Sequence, residues 1–74
     1  MKIGKRKLVS ILERETGIPR KDILAYGIYD SYGNKEIIEL GAHSIVALNG
    51  KISITDPVYK GEQIKYKTRV IEVR

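Results

Sequence analysis

His-Ser-Ile-Val-Ala-Leu-Asn-Gly-Lys-Ile-Ser-Ile-Thr, residues 43–55, predicts a β-hairpin. Asn49-Gly50 supplies the two positive-φ residues that a type I′ turn requires, and β-branched residues flank this pair. A two-residue turn fixes the register, so Ala47 is expected opposite Ile52, and Ile45 opposite Ile54. One face of the hairpin is then apolar and the other is mostly polar, which is typical of a sheet that packs against a core on one side.

The residues before this hairpin predict two helices. Residues 5–16 carry apolar side chains at i, i+3 and i+4, which is the spacing of an amphipathic helix, and Gly17 is expected to end that helix. A second, shorter helix is expected over residues 19–26, where proline stands first.

From residue 27 onward apolar and polar side chains alternate, which predicts strands. The weakest strand is expected at 27–30, a second at 36–40 and the longest at 63–73, with turns at Asp56-Pro57 and at 60–62. In the longest strand Ile64 and Tyr66 are expected to face the core. The opposite side of that strand then forms an outward ladder of Gln63, Lys65, Lys67 and Arg69.

These elements predict an α+β fold in a single domain, residues 1–74. An N-terminal amphipathic helix packs on an antiparallel β-meander of four to five strands. The meander is expected either to stay open or to curl into a small barrel. The predicted core consists of Leu8, Ile11, Leu12, Ile23, Ile38, Leu40, Ile45, Ala47, Ile52, Ile54, Ile64 and Tyr66.

The composition restricts the class of protein. The 74 residues include no cysteine, which excludes disulfides, thiolate metal sites and cysteine nucleophiles. No apolar run approaches the roughly 20 residues that span a bilayer, and the basic N-terminus lacks the apolar stretch of a signal peptide. A cytoplasmic protein without membrane contact is therefore expected.

Catalytic chemistry is not expected. His43 is the only histidine, and it lies on the apolar face of the hairpin, where a packed, hydrogen-bonded side chain is the common case. Ser44 is adjacent in sequence but points to the opposite face, so the two residues cannot form a nucleophile and base. The glycines match no phosphate-binding loop. The prediction is a protein without catalytic residues, metal or cofactor.

The net charge of +5 is concentrated at the two ends of the chain. Residues 1–21 sum to +5, residues 22–59 to −3 and residues 60–74 to +3, which suggests an anionic partner or electrostatic pairing between copies. Three tyrosines near turns could stack on bases beside the lysines. The residues predicted to bind nucleic acid or another anionic partner are Lys5, Arg6, Lys7, Lys65, Lys67, Arg69, Tyr29, Tyr32 and Tyr59.

Residues 19–68 resemble a family of small sporulation proteins. The resemblance rests on Pro19-Arg20-Lys21-Asp22-Ile23, on Gly33-Asn34 with Ile38-Glu39, and on the later segments Ile52-Ser53-Ile54-Thr55 and Lys60-Gly61-Glu62-Gln63-Ile64. These segments are similar to the YabP/YqfC-like family. The resemblance implies a small β-rich protein that acts during spore formation, with no catalytic motif to carry over.

Two functions are compatible with these observations. The first is a small non-enzymatic interaction module that associates with itself or with another protein and acts in sporulation. Self-association would add stability to a chain that buries only about 60% of its unfolded surface. The second is a basic nucleic-acid-binding protein that contacts mainly phosphates and has little sequence specificity.

Overall fold

The computed structural model describes residues 4–73. Two helices, α1 (Lys5–Thr16) and α2 (Arg20–Tyr26), precede five strands: β1 (Ile28–Tyr32), β2 (Lys35–Leu40), β3 (His43–Leu48), β4 (Lys51–Lys60) and β5 (Gln63–Glu72). The strands form one antiparallel sheet in the order β1-β2-β3-β4-β5. The α+β fold with an N-terminal helix on a meander is confirmed. The barrel alternative is wrong, because β1 and β5 are the two open edges of the sheet.

The β3–β4 hairpin has the predicted register. Ala47 pairs with Ile52 and Ile45 with Ile54. Asn49 and Gly50 both have positive φ, 51° and 75°, as a type I′ turn requires. The hairpin turn therefore determines which side chains of β3 and β4 face the core.

Helix α1 ends where the sequence predicts, and helix α2 begins one residue later than predicted. Gly17, at the C-terminus of α1, is left-handed with a φ of 74°, and its N–H donates to the carbonyl of Glu13 at 3.1 Å. Pro19 is the N-cap residue of α2 rather than its first helical residue, so α2 is one residue shorter than predicted. Thr16 ties the end of α1 to the linker that follows it, since its hydroxyl donates to the Leu12 carbonyl and accepts from the Ile18 N–H.

A single apolar core lies between the helices and one face of the sheet. Ten of the twelve predicted core residues are buried, and Val9 joins them. The other two, Ile64 and Tyr66, were predicted wrongly: their side chains are 53% and 64% exposed. The buried residues are Leu8, Val9, Ile11, Leu12, Ile23, Ile38, Leu40, Ile45, Ala47, Ile52 and Ile54.

Strand β4 continues through the predicted turn at Asp56-Pro57 and runs to Lys60. The ladder between β3 and β4 ends with Ser44 opposite Thr55, so beyond this point β4 pairs with β5 alone. Proline is tolerated in a segment that is paired on one side only. Residues 57–66 thus form a two-stranded extension of the sheet, which we call the arm.

The prediction of which side of β5 faces the core is also wrong. Arg69 pairs with Ile54 and Ile71 with Ile52, so the odd-numbered residues of β5 lie on the helix-covered face. Lys65 and Lys67 therefore lie on that side of the sheet, and Ile64 and Tyr66 on the other. The apolar pattern of β5 changes parity at Val70-Ile71, and the part that packs on the core is Ile71 with Val73.

Gly27, between α2 and β1, is a position where the backbone leaves no space for a side chain. A Cβ there would lie 2.5 Å from the carbonyl oxygen of Ile23, which already accepts the Gly27 N–H at 2.9 Å. We expect Gly27→Ala to lower the free energy of unfolding by roughly 1–3 kcal/mol, because backbone atoms must move. Urea denaturation measures this, and unchanged stability would show that the α2–β1 junction is not close-packed.

Candidate functional site: the open face of the sheet and the arm

One face of the sheet has no helix over it, and we call it the open face. Of the nine large hydrophobic side chains that are exposed among residues 4–73, seven lie on this face. The remaining two, Leu24 and Tyr26, are on α2. The seven on the open face are Ile28, Tyr32, Leu48, Tyr59, Ile64, Tyr66 and Val70.

Three apolar side chains lie in one row across the body of the open face, and Ser53 interrupts this apolar row. Ile37 of β2 pairs with Val46 of β3, and Val46 pairs with Ser53 of β4, which in turn pairs with Val70 of β5. Ile37 and Val46 are half-buried and Val70 is 60% exposed. This row gives the centre of the open face three apolar side chains that no helix of the described chain covers.

The charged side chains of the open face nearly cancel. Asp30, Glu39 and Glu72 are acidic, and Lys35 and Lys51 are basic, which sums to −1. Lys51 and Glu72 lie opposite each other, with Nζ and Oε1 3.9 Å apart. The net charge of +5 is therefore carried elsewhere on the molecule.

At the opposite side of the sheet, a chain of polar contacts joins three strands to the end of α1. Nδ1 of His43 hydrogen-bonds Oδ1 of Asp56 at 2.7 Å, and Oδ2 of Asp56 accepts from Nε of Arg69 at 3.0 Å. Arg69 also donates to the carboxylate of Glu15 at 2.7 Å and to the backbone carbonyl of Glu15 at 2.8 Å. We call His43, Asp56, Arg69 and Glu15 the charge network.

The charge network shifts the ionisation of its members. Partial burial by itself would raise the pKa of Asp56, but the hydrogen bonds from His43 and Arg69 outweigh it and lower that pKa. The hydrogen bond to Asp56 raises the pKa of Arg69, so the guanidinium stays charged. Both shifts favour the ion pair and keep Arg69 bound within the protein.

The structure places Lys5 and Arg69, which belong to the two basic clusters predicted from the sequence, at opposite edges of the sheet. Lys5, at the start of α1, lies over the ring of Tyr29 on β1, with Nζ 4.6 Å from the ring centre. Arg69 lies on β5, at the opposite edge of the sheet. Tyr29 and Arg69 are the first and last residues of one row of paired residues across the sheet. They are therefore four strand spacings, or about 19 Å, apart.

The predicted tyrosines do not lie beside the lysines of β5. Tyr32 and Tyr59 are on the open face, whereas Lys65 and Lys67 are on the helix-covered side. Tyr29 is half-buried under Lys5; desolvation by burial, with a further contribution from Glu36, raises the pKa of its hydroxyl. The nine predicted residues therefore lie on several surfaces. The sequence analysis missed Lys60, which the arm brings to the same side as Lys65.

Two grooves adjoin these residues. The groove beside His43 has a volume of about 350 Å³ and is lined by α2, by the β2–β3 turn and by Pro57 and Tyr59. A smaller one of about 190 Å³ lies between Lys5, Tyr29 and Glu36. Within residues 4–73, no three His, Cys, Asp or Glu side chains converge to hold a metal ion.

Comparison of the chain with protein-family models, with curated proteins and with solved structures found no match. The resemblance to the YabP/YqfC-like family stays a prediction. In the part of the chain that the structure describes, neither helix has the length and apolar character to cross a membrane.

The charge network gives a stability prediction for Arg69. We expect Arg69→Gln to lower the free energy of unfolding by about 1–2 kcal/mol, because two carboxylates lose their charged donor while solvent screens part of the loss. Lys67→Gln is the matched control, one rung further along the same side of β5 and outside the charge network; it should change stability by less than about 0.5 kcal/mol. Equal effects of the two variants in urea denaturation would refute the structural role of Arg69.

The lowered pKa of Asp56 predicts a pH dependence. Because the pKa is lower in the folded chain, the carboxylate stabilises the fold above its unfolded pKa of about 3.9. This contribution is lost as the pH falls through the folded pKa. The stability difference between the wild type and Asp56→Asn should therefore be largest near neutral pH and shrink towards strongly acidic pH. A difference that stays constant in urea titrations across this range would contradict it.

Proposed function

We propose that this protein is a small non-enzymatic interaction module that self-associates through the open face of its sheet. The observation that carries the proposal is the concentration of exposed hydrophobic side chains on that face, seven of the nine in the described chain. A concentration of exposed apolar side chains on one face is characteristic of association sites. The occupant that we propose for the open face is a second copy of the chain.

The area of the open face suits a dimer of moderate affinity. Five strands spaced about 4.8 Å apart and about six residues long give a body of roughly 480 Å², and the arm adds roughly 140 Å². Two copies would bury about 1,200 Å² in total, the lower end of the range for specific complexes. We therefore expect dissociation to be measurable at ordinary protein concentrations.

The distribution of charge favours a second copy as the occupant. A chain of net charge +5 repels its own copies, but the open face itself sums to −1. Two open faces can approach each other without bringing the lysines of the arm or the basic start of α1 together. A strongly acidic partner would find few cations on this face to pair with.

The remaining parts of the proposal have different support. A non-enzymatic role is supported by the commitment of His43 to Asp56 and by the position of Ser44 on the opposite face of β3. The resemblance of residues 19–68 to the YabP/YqfC-like family is the reason for including a role in spore formation in this proposal.

Substitution at the centre of the open face tests self-association. Val70→Glu introduces a charge into the apolar row, and we expect it to convert a dimer of about 16.8 kDa, twice 8.4 kDa, to the monomer in sedimentation velocity. The melting temperature of the wild type should also rise with concentration over a roughly hundredfold range.

Leu24→Glu is the matched control for this experiment. It places the same charge on a side chain that is 52% exposed on α2, away from the open face. We expect this variant to sediment as the wild type does. A wild-type chain that is monomeric over the whole range, or equal dissociation in both variants, would overturn the proposal.

A further inference from the structure

The arm is the part of the sheet that extends past the end of β3. Its rungs run from Pro57 opposite Tyr66 to Lys60 opposite Gln63, and Gly61-Glu62 closes the turn. At about 3.4 Å per residue the rungs and the turn reach about 14 Å beyond the body. The described chain is accordingly elongated, with extents of 40 × 24 × 21 Å.

The two sides of the arm differ in chemistry. The side continuous with the open face carries Pro57, Tyr59, Ile64 and Tyr66 and no charge. The other side carries Lys60 and Lys65, and Lys67 follows at the base of the arm. We call these three lysines the lysine row. They occupy every second rung, about 6.8 Å apart, so the row is about 14 Å long.

No acidic side chain forms an ion pair with the lysine row in the described part of the chain, although Glu62 puts one negative charge in the turn of the arm. Asp56 is opposite Lys67 in the register, but its two oxygens are bonded to His43 and Arg69. The ion pairs found within residues 4–73 do not include the three lysines. Arg69, by contrast, is held by two carboxylates and is not free to bind an external anion.

We propose that the lysine row of the arm binds the phosphate backbone of duplex DNA. This function is separate from self-association. A two-stranded ribbon with its side chains fits the major groove of B-DNA, which is about 12 Å wide. Lysine ammonium groups contact phosphates as point charges and read no base, so binding is weakly sequence-specific.

The arrangement of the tyrosines favours a duplex over a single strand. Proteins that bind single strands stack bases on aromatic side chains beside the cations that hold the backbone. On the arm, Tyr59 and Tyr66 are on the side opposite to the lysine row. A single strand could not contact both sets on one surface, whereas a duplex needs only the lysines.

Fluorescence anisotropy with a labelled duplex of about 20 base pairs tests this proposal in the full chain. The test variant combines Lys60→Gln, Lys65→Gln and Lys67→Gln. We expect it to bind at least about tenfold more weakly than the wild type at low salt. The plot of log affinity against log salt concentration should also become less steep, its slope decreasing in magnitude by about 2.7, that is 0.9 for each of three phosphate contacts.

The matched control combines Lys5→Gln, Arg6→Gln and Lys7→Gln, which removes the same charge from the start of α1; Lys5 lies over Tyr29 of β1, and Lys7 lies beside Ile71 in the body of the sheet, away from the arm. We expect its affinity to stay within about twofold of the wild type, beyond a small general charge effect. Urea denaturation first establishes that each variant is folded. Lys21→Gln with Lys35→Gln is a second control, on α2 and β2, in case the first is unstable.

Three results would overturn the proposal. The first is absence of duplex binding by the wild type at low salt. The second is equal loss in the test and control variants, which would mean that only net charge matters. The third is tighter binding of a single strand of DNA or RNA than of the duplex, which would move the contact to another surface. Loss confined to the lysine-row variant, with the duplex preferred, would support it.

Discussion

Packing of the α1 stripe against one face of the sheet is the interaction on which the rest of the structure depends. Leu8 and Leu12 are fully buried with Ile45 and Ile54, and 74 residues supply only two short helices to cover five strands. Such a chain builds one core and covers one face. Every apolar side chain that points the other way, as Val70 does, must face solvent or a partner. The open face follows from the small number of helices, and its apolar composition is what distinguishes it from an ordinary solvated face.

The row that contains Ile54 and Arg69 marks where the covered side of the sheet changes from apolar to polar. Ile54 is fully buried, while Arg69 across from it reaches Glu15 at the end of α1 and Asp56 on the next rung of β4. The Arg69 guanidinium thus lies at the edge of the core, where α1 ends. Beyond this row α2 lies beside Leu40 and His43, whereas the same side of β5 carries the exposed Lys65 and Lys67. The charge network therefore separates the packed body from the arm.

The sequence predicts the body of this fold better than the arm, for a physical reason. In β3 and β4 the Asn49-Gly50 turn fixes the register, and the apolar pattern agrees with the turn, so both give the same core face. In β5 the apolar pattern is itself inconsistent, because Ile64 and Tyr66 lie on one side of the strand and Ile71 lies on the other. Burial of β5 is decided near α1, where Ile71 packs on the core, and not in the arm, where Ile64 and Tyr66 are exposed. The turn predicted at Asp56-Pro57 is wrong for a similar reason. Proline interrupts a strand that is paired on both sides, but at Pro57 β4 is paired with β5 alone.

The same difference between body and arm explains the outcome for the candidate site. Arg69 looks equivalent to Lys65 and Lys67 in an alternating sequence, yet it lies close enough to α1 to bind Glu15 and is already paired with two carboxylates. Lys60 looks like part of a turn, yet pairing across the arm puts it on the side of Lys65. Which cations remain available depends on three-dimensional neighbours that spacing alone does not reveal. Because the lysine row and the apolar row of Val46 and Val70 point to opposite sides of the sheet, a dimer formed through the open faces would leave both lysine rows facing outward. The two proposed contacts then occupy different surfaces, and one does not block the other.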